Sequence, residues 1–292
     1  MEELVKELVI SMHPRRWLKN LFMFAALVFG IKLSDAGLIV RSVLAFACFC
    51  LLSSVAYLIN DLVDMERDKH HPAKRNRPLA AGKLKKPWAL GAAIVLALAS
   101  LSVAFVLSYR FALVGLAFLV VEIAYSFLFA NFVILDVLAI AVAFILRVMA
   151  GSVIAEATRF SPWLYVCGSL LALFLALCKR RQELIELGER APLHRKVLAD
   201  YSSPLLVEMI SVVTSSTVIA YSLYTFWGEH VPENKSMMLT IPFVLYGILR
   251  YLLLMQRRDL PGTPEEMLIK DPPLVINNLL WAAAVLTILY LF

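Results

Sequence analysis

The chain has 292 residues, of which 61% are hydrophobic and 17% are charged, and it carries a net charge of +6 at pH 7. Soluble domains have an apolar share closer to half, so this composition excludes a soluble enzyme built around one large core. The apolar residues come in blocks of about twenty, the length that spans the hydrocarbon core of a bilayer. We therefore predict an all-α integral membrane protein.

The apolar blocks predict nine transmembrane helices in a single polytopic domain that covers residues 1–292. In chain order the blocks occupy about residues 17–33, 38–60, 88–108, 110–129, 133–156, 162–178, 205–227, 239–256 and 273–292. No clear small-residue cleavage site accompanies the first block, so we interpret it as a retained helix rather than a signal peptide.

The distribution of basic residues predicts the orientation, because cytoplasmic loops carry an excess of Lys and Arg. With the N-terminus inside, the cytoplasmic segments 1–20, 61–87, 179–200 and 257–271 hold 21 of the 28 Lys and Arg residues. We therefore expect a protein of the cell membrane with a cytoplasmic N-terminus, a C-terminus on the far side, and two long cytoplasmic loops at 61–87 and 179–200. The positive charge then belongs to the membrane surface, and nucleic-acid binding is a poor interpretation of it.

The first long loop opens with the sequence NDLVDMERDKHHPAKRNRP, whose acidic residues form a spaced motif. If the second span continues as a helix past the membrane, Asp61, Asp64 and Asp68 share one face over two turns. Carboxylates that close repel each other unless a cation neutralises them, and Mg²⁺ binds through one or two carboxylates plus substrate phosphates. We predict these three residues as Mg²⁺ ligands and catalytic residues, with Asn60 as a substrate-binding neighbour. A solvated helix end is the plainer alternative.

A basic stretch follows the acidic motif. It comprises His70, His71, Lys74, Arg75 and Arg77. These side chains suit either anionic lipid headgroups or substrate phosphates, which Arg binds in a bidentate manner. Beside a Mg²⁺ site, phosphate binding is the favoured interpretation, and the sequence Pro78-LAAG predicts a turn that folds the loop back over the site.

Two further groups of polar residues lie in or beside the spans. In the fifth span, Asp136 lies near the cytoplasmic end and is a substrate-binding candidate, whereas Arg147 lies deeper and suits either an ion pair with Glu122 or a substrate role. At the start of the first span, Lys19 and Asn20 follow a cluster of Arg and Trp. That cluster is typical of an interfacial anchor, and the alternative is that Lys19 and Asn20 bind the phosphate of a lipid acceptor.

The segment NDLVDMERDKHHPAKRNRPLAAG resembles the first Asp-rich motif of the UbiA superfamily of intramembrane prenyltransferases. This resemblance implies nine helices around a cytoplasm-facing cavity. Three other segments, HPRRWLKNLFMFAAL, ILDVLAIAVAFILRVMAGSVIAE and CKRRQELIEL, are similar to a phosphoribosyltransferase branch of that superfamily.

The branch implies a specific reaction. The donor is 5-phosphoribosyl 1-diphosphate (PRPP), the acceptor is a polyprenyl monophosphate of the decaprenyl type, and the product is an early precursor of cell-wall arabinan. The resemblance carries Lys179, Arg180 and Glu183 as binding candidates through the KRxxEL segment, for which a positively charged cap on the sixth helix is the alternative.

The sequence departs from the superfamily pattern in two places. The loop after the sixth span has three Glu residues but no second DxxxD motif, which disfavours a prenyl-diphosphate site with two metals. The motif after the fourth span keeps Tyr125 as a binding candidate but lacks the expected Lys near position 130. A prenyltransferase that moves a prenyl chain to an aromatic acceptor is the runner-up, and a lipid-phosphate transporter would be expected to show inverted repeats. The sequence leaves the formation of homo-oligomers open.

Overall fold

A computed structural model describes residues 2–69, 74–156, 162–256, 267 and 270–291 of the chain. Every regular element in these ranges is helical. The α-helices are α1 (Glu2–Ser11), α2 (Ala25–Phe29), α3 (Ala36–Val63), α4 (Met65–Lys69), α5 (Lys86–Leu107), α6 (Tyr109–Phe127), α7 (Leu135–Ile154), α8 (Pro162–Leu187), α9 (Ala191–His194), α10 (Ser203–Trp227), α11 (Ile241–Gln256) and α12 (Pro272–Leu291). Longer 3₁₀ segments occupy Pro14–Phe24, Lys196–Ala199 and Ser236–Thr240.

Seven helices in the described ranges are long and apolar enough to cross a membrane, and they confirm that seven of the predicted blocks are helical. They are α3, α5, α6, α7, α10, the segment Ser236–Gln256 that contains α11, and α12. Their ends follow local signals: the Asp35 side chain accepts a hydrogen bond from the Leu38 amide at the start of α3, and Ser202 does the same for Leu205 at the start of α10, as N-cap residues do.

The two remaining predicted spans are not among these seven helices. The first, 17–33, falls on the 3₁₀ segment Pro14–Phe24 followed by the short helix α2. A 3₁₀ helix rises about 2.0 Å per residue and an α-helix about 1.5 Å, so the two pieces together reach roughly 30 Å. The sixth, 162–178, falls on α8, which continues to Leu187. The count of nine spans therefore stays a prediction.

The bundle is organised around α3 and α7, the most deeply buried of the seven spans. The helices α5 and α6 pack on one side of this pair, α8, α10 and α11 follow in order from α7, and α12 packs on α11. Small residues allow close approach between helices in a membrane, and Ala45, Ala89 and Ala93 are buried where α3 meets α5. Large apolar side chains such as Val106 and Leu98 on α5 remain exposed on the outer surface, as expected for helices that face lipid.

One contact shows how tightly the first predicted span packs on α7. A Cβ atom added to Gly151 would lie 1.8 Å from the carbonyl oxygen of Met23. Only glycine permits this approach of the two backbones, so Gly151 sets the position of the 3₁₀ segment that carries Asn20.

A buried polar cluster crosses the same interface. Arg147 Nη2 donates to Glu122 Oε1 at 3.2 Å, and its Nε donates to Asn20 Oδ1 at 3.0 Å. Asn20 Oδ1 also accepts from Ser53, and the Arg147 guanidinium lies 4.6 Å above the ring of Phe118. The ion pair between Arg147 and Glu122, one of the two alternatives that the sequence left open, is therefore present. It neutralises a charge that would be costly inside the membrane.

Candidate active site

The two long loops meet at one end of the bundle, where α3, α6 and α8 end and α7 begins. Each loop is held by apolar side chains that are buried in the core: Leu79 and Leu84 anchor the first, and Val197 and Leu198 anchor the second. The short helices α4 and α9, one from each loop, are in contact. Residues far apart in sequence are thereby brought to a common site.

The turn predicted after Pro78 is present. The amide of Leu84 donates to the carbonyl of Pro78 at 3.0 Å, and Gly82 has a φ of +73°, a conformation that suits glycine. Arg77, the residue before this turn, meets the acidic motif at the end of α3. His70 and His71 lie outside the described residues.

Arg77 joins two carboxylates of the acidic motif. Its Nη1 lies 2.7 Å from Asp61 Oδ1 and 2.7 Å from Asp68 Oδ2. Both Asp side chains are about 1% exposed, and Asp61 Oδ2 also lies 2.9 Å from Nε2 of His13. The third carboxylate, Asp64, ends α3 and pairs weakly with Arg67 at 3.6 Å. The positive charge of Arg77 thus offsets the repulsion between Asp61 and Asp68. The spacing of the carboxylates predicted a metal ion in this role.

The carboxylates of the acidic motif still suit a divalent cation. Within the described ranges, no group of three His, Cys, Asp or Glu side chains is already arranged to hold an ion, so the three-carboxylate site stays a prediction. Asp68 Oδ1, however, is buried and has no hydrogen-bond partner among the residues described, which is costly for a carboxylate oxygen. Burial raises the pKa of Asp68, and Arg77 opposes that rise. Mg²⁺ requires one or two carboxylates plus waters and phosphates, and Asp68 with Asp61 or Asp64 could supply them.

Lys74 follows the acidic motif in the first loop. Burial lowers the pKa of its ammonium group to about 8, while Glu183 from the second loop and Asp68 from the first act to raise it. Both loops therefore lie within electrostatic range of this one side chain.

A fully buried ion pair fixes the second loop to α7. Arg180 Nε donates to Asp136 Oδ2 at 2.6 Å, and neither side chain has measurable exposure. The hydroxyl of Tyr201 donates to Asp136 Oδ1 at 2.9 Å and accepts from the amide of Ile134. Both carboxylate oxygens of Asp136 are thus bonded within the protein, so Asp136 holds Arg180 in place in this structure, and its predicted contact with substrate stays a prediction.

Arg180 extends this network toward the loop surface. It donates to Glu183 through Nη1 and to the hydroxyl of Tyr125 through Nη2, the latter at 2.9 Å. Arg195 donates to the same Tyr125 hydroxyl at 3.1 Å and lies 3.8 Å from Glu183. Burial would raise the pKa of Glu183, but the surrounding cations, Arg180 foremost, hold it well below its usual range. Glu183 is therefore the anionic centre of a group of basic residues.

The other predicted residues occupy varied positions. Asn60 donates to Ser126 Oγ at 3.2 Å at the end of α3. Asn20 is buried in the Arg147 cluster rather than open at the surface. Arg75 is exposed, and Lys19 and Lys179 are half-buried. No ligand contact for these residues follows from their positions alone.

Three residues of this site carry no sequence signal that singles them out. His13 precedes the first predicted span, and Arg195 and Tyr201 end the second loop. Each acts through a partner 48 to 70 positions away, a separation that no periodicity reveals. The cluster of basic residues in 179–200 was the one available hint for Arg195.

Comparison with known proteins identifies the family of the chain. The UbiA prenyltransferase family model matches residues 21–268. The chain is 33% identical to decaprenyl-phosphate phosphoribosyltransferase of Mycolicibacterium smegmatis over 99% of this chain and 94% of that protein. It is 32% identical to the protein of the same name from Mycobacterium tuberculosis, over 97% and 94%.

Among solved structures, a UbiA homolog from Archaeoglobus fulgidus bound to GPP and Mg²⁺ has a TM-score of 0.74, with 21% identity over 97% of this chain and 99% of that chain. The structural likeness agrees with the match of the family model over most of the sequence. The chain is a multi-pass membrane transferase that belongs to the UbiA prenyltransferase family.

Proposed function

We propose that this protein transfers 5-phosphoribose from PRPP to a polyprenyl phosphate of the decaprenyl type, with Mg²⁺, and releases pyrophosphate. The observation that carries the proposal is that the loop with the acidic motif contacts the second loop through α4 and α9, where Arg180 and Arg195 lie beside Glu183. Such a site suits a donor with several phosphate groups. The names of relatives that align over almost the whole chain support the same reaction, and the product would serve as a precursor of cell-wall arabinan.

The rate of this reaction would depend on the positioning of the substrates more than on proton transfer. The bond between C1 of the ribose and the diphosphate oxygen breaks, and its electron pair leaves with the pyrophosphate. An oxygen of the acceptor phosphate forms the new bond to C1. Because that phosphate is already an anion, no strong general base is needed, and orientation and electrostatic stabilisation supply most of the rate.

The acidic motif would hold the metal and the basic residues the donor. Asp61, Asp64 and Asp68 are the ligand candidates, and bound Mg²⁺ would act as a Lewis acid on the diphosphate. Arg77 lies within hydrogen-bonding distance of two of these carboxylates. With the donor bound, its guanidinium would instead donate hydrogen bonds to the diphosphate oxygens. The network of Asp136 and Arg180 keeps the second loop in place beside them.

The proposed topology places this site at the cytoplasmic membrane surface. Nine spans, with the N-terminus inside and the C-terminus on the far side, bring a water-soluble donor and a lipid acceptor to the same boundary. Lys19, half-buried at the start of the first span, is the candidate contact for the acceptor phosphate. Reporter fusions after α3 and after α12 test this arrangement, since they should report opposite sides.

A transfer assay tests the reaction. Purified protein in detergent receives Mg²⁺, a polyprenyl phosphate and PRPP labelled in the ribose, and the label that enters the lipid phase is measured. Transfer that is lost with EDTA supports both the donor and the metal. Absence of transfer from PRPP, with transfer of a prenyl chain from its diphosphate to an aromatic acid, would replace the proposal with the runner-up reaction.

A further inference from the structure

Arg195 approaches the site from the second loop in a constrained arrangement. Its guanidinium group donates to the Tyr125 hydroxyl at 3.1 Å and lies 5.8 Å from the centre of the Tyr125 ring. The side chain is only 12% exposed. The phenol and the loop therefore hold the guanidinium in one orientation before any ligand binds.

The Nε–H group of this guanidinium makes no hydrogen bond within the described part of the protein. The Nε atom of Arg195 is buried and has no hydrogen-bond partner among the described residues, with the nearest carboxylate oxygen of Glu183 at 3.8 Å. A buried N–H of a charged group without an acceptor costs free energy, which an anionic oxygen bound at this point would recover. Arg180 differs, because its Nε, Nη1 and Nη2 atoms all have acceptors within the protein.

The charges around Arg195 would change if a divalent cation bound to the acidic motif. Asp64 is the acidic residue of the first loop that acts on Arg195, and Asp68 acts on Lys74. A divalent cation on the acidic motif would take up the charge of these carboxylates. Glu183 would then be the nearby carboxylate that still opposes the charge of Arg195, and the second loop would gain affinity for an anion.

We propose that Arg195 and Tyr125 form a second phosphate subsite, distinct from the acidic motif, that binds the terminal monophosphate of the donor. This inference rests on the proposed function and adds a division of labour: the acidic motif takes the diphosphate end of PRPP, and the second loop takes its 5-phosphate end. A prenyl diphosphate has no phosphate group apart from its diphosphate, so this subsite would select a phosphoribosyl donor over a prenyl donor. Arg195 is then a specificity-determining residue, and Arg180 positions it through Tyr125 and Glu183.

Two fragments of the donor test the subsite separately. Ribose 5-phosphate carries only the monophosphate end and pyrophosphate only the diphosphate end, and each is measured as a competitive inhibitor of PRPP-dependent transfer. In Arg195→Ala, inhibition by ribose 5-phosphate should weaken at least about tenfold, the loss expected for a hydrogen bond to a charged group. Inhibition by pyrophosphate should stay within about twofold. In Arg195→Lys, which keeps the charge but not the planar guanidinium group, inhibition by ribose 5-phosphate should be intermediate between the wild type and Arg195→Ala.

The control variant is Arg190→Ala, which removes an exposed arginine from the same loop and should leave both inhibition constants unchanged. Unchanged inhibition by ribose 5-phosphate in Arg195→Ala would overturn the subsite, and so would an equal loss for both fragments. If the wild-type protein makes no product from PRPP, the proposed function fails instead, so the two failures are distinct. Retained inhibition by pyrophosphate also demonstrates that the variant is folded.

Discussion

His13 Nε2 lies 2.9 Å from Asp61 Oδ2, although the two residues are 48 positions apart. The backbone of His13 is left-handed, with φ 50° and ψ 58°, an uncommon conformation for a residue other than glycine. Its ring meets Tyr57 edge-on at 5.6 Å. The segment before the first span is thus attached to the first carboxylate of the acidic motif.

This contact predicts that His13 positions Asp61. In His13→Ala the carboxylate loses a partner while it stays buried, so we expect kcat/KM to fall by about tenfold or more and the Mg²⁺ concentration for half-maximal rate to change. His13→Gln restores an amide donor at a similar reach and should recover part of the loss. Both variants share the left-handed backbone, so the difference between them reports the side chain.

The control is His230→Ala, since His230 is exposed on the connection after α10. Its rate and its Mg²⁺ dependence should match those of the wild type. Equal rates in His13→Ala and His13→Gln would mean that the residue acts only on the fold of the N-terminal segment.

A second prediction concerns Asp64. Its pairing with Arg67 at 3.6 Å is partly exposed, and such pairs contribute little to stability. Asp64→Ala should therefore insert and fold as the wild type does, yet lose at least about a hundredfold in turnover because the metal loses a ligand. The label transferred to lipid and the elution profile in detergent are measured together. Asp200→Asn, which alters an exposed carboxylate of the second loop, is the matched control, and substantial activity in Asp64→Ala would rule out its role as a metal ligand.

A third prediction follows from the position of Lys74. Burial lowers the pKa of its ammonium group to about 8, so the group is charged below that pH and neutral above it. The donor's phosphates are already fully ionised near pH 8, so kcat/KM for PRPP should fall as the pH rises through about 8. Lys74→Arg keeps its charge at high pH and should extend the plateau. The same fall with pH in both proteins would assign it to another group.

A fourth prediction uses the close contact at Gly151. In Gly151→Ala the new methyl group would lie 1.8 Å from the Met23 carbonyl oxygen, and overpacking of this kind typically costs about 1–3 kcal/mol. Gly91→Ala makes the same substitution in α5, where a Cβ atom meets nothing within 4 Å, so helix propensity should leave its stability equal or higher. Apparent unfolding midpoints in detergent distinguish the two, and equal midpoints would contradict the packing argument.

Composition predicted much of the fold because blocks of apolar residues long enough to cross a bilayer have few alternatives to a helix. The same blocks do not distinguish a 3₁₀ helix from an α-helix, because a run that is apolar on every side has no clear period of 3.0 or 3.6 residues. The segment Pro14–Phe24 therefore differs from the expectation. Its geometry depends instead on the fit against Gly151, which lies far away in the sequence.

The candidate site, like the fold, could be predicted from the sequence only in part. Spacing predicted which carboxylates could act together, and charge predicted which loops matter. Spacing could not predict that Arg77 joins Asp61 to Asp68, because that contact depends on how the first loop folds back onto the end of α3. It also could not predict that Tyr201 bonds to Asp136, since that pairing depends on how α7 and the second loop pack.

The two buried ion pairs of α7 also differ in the order in which their parts are synthesised. Arg147 bonds to Asn20 and Glu122, both of which precede it in the chain, so its partners already exist when α7 leaves the ribosome. Asp136 bonds to Arg180 and Tyr201, which follow it. Its carboxylate therefore lacks these partners until the second loop has been made. The part of the bundle around Arg147 can mature during synthesis, whereas the end with the candidate site is completed only after about two thirds of the protein has been translated.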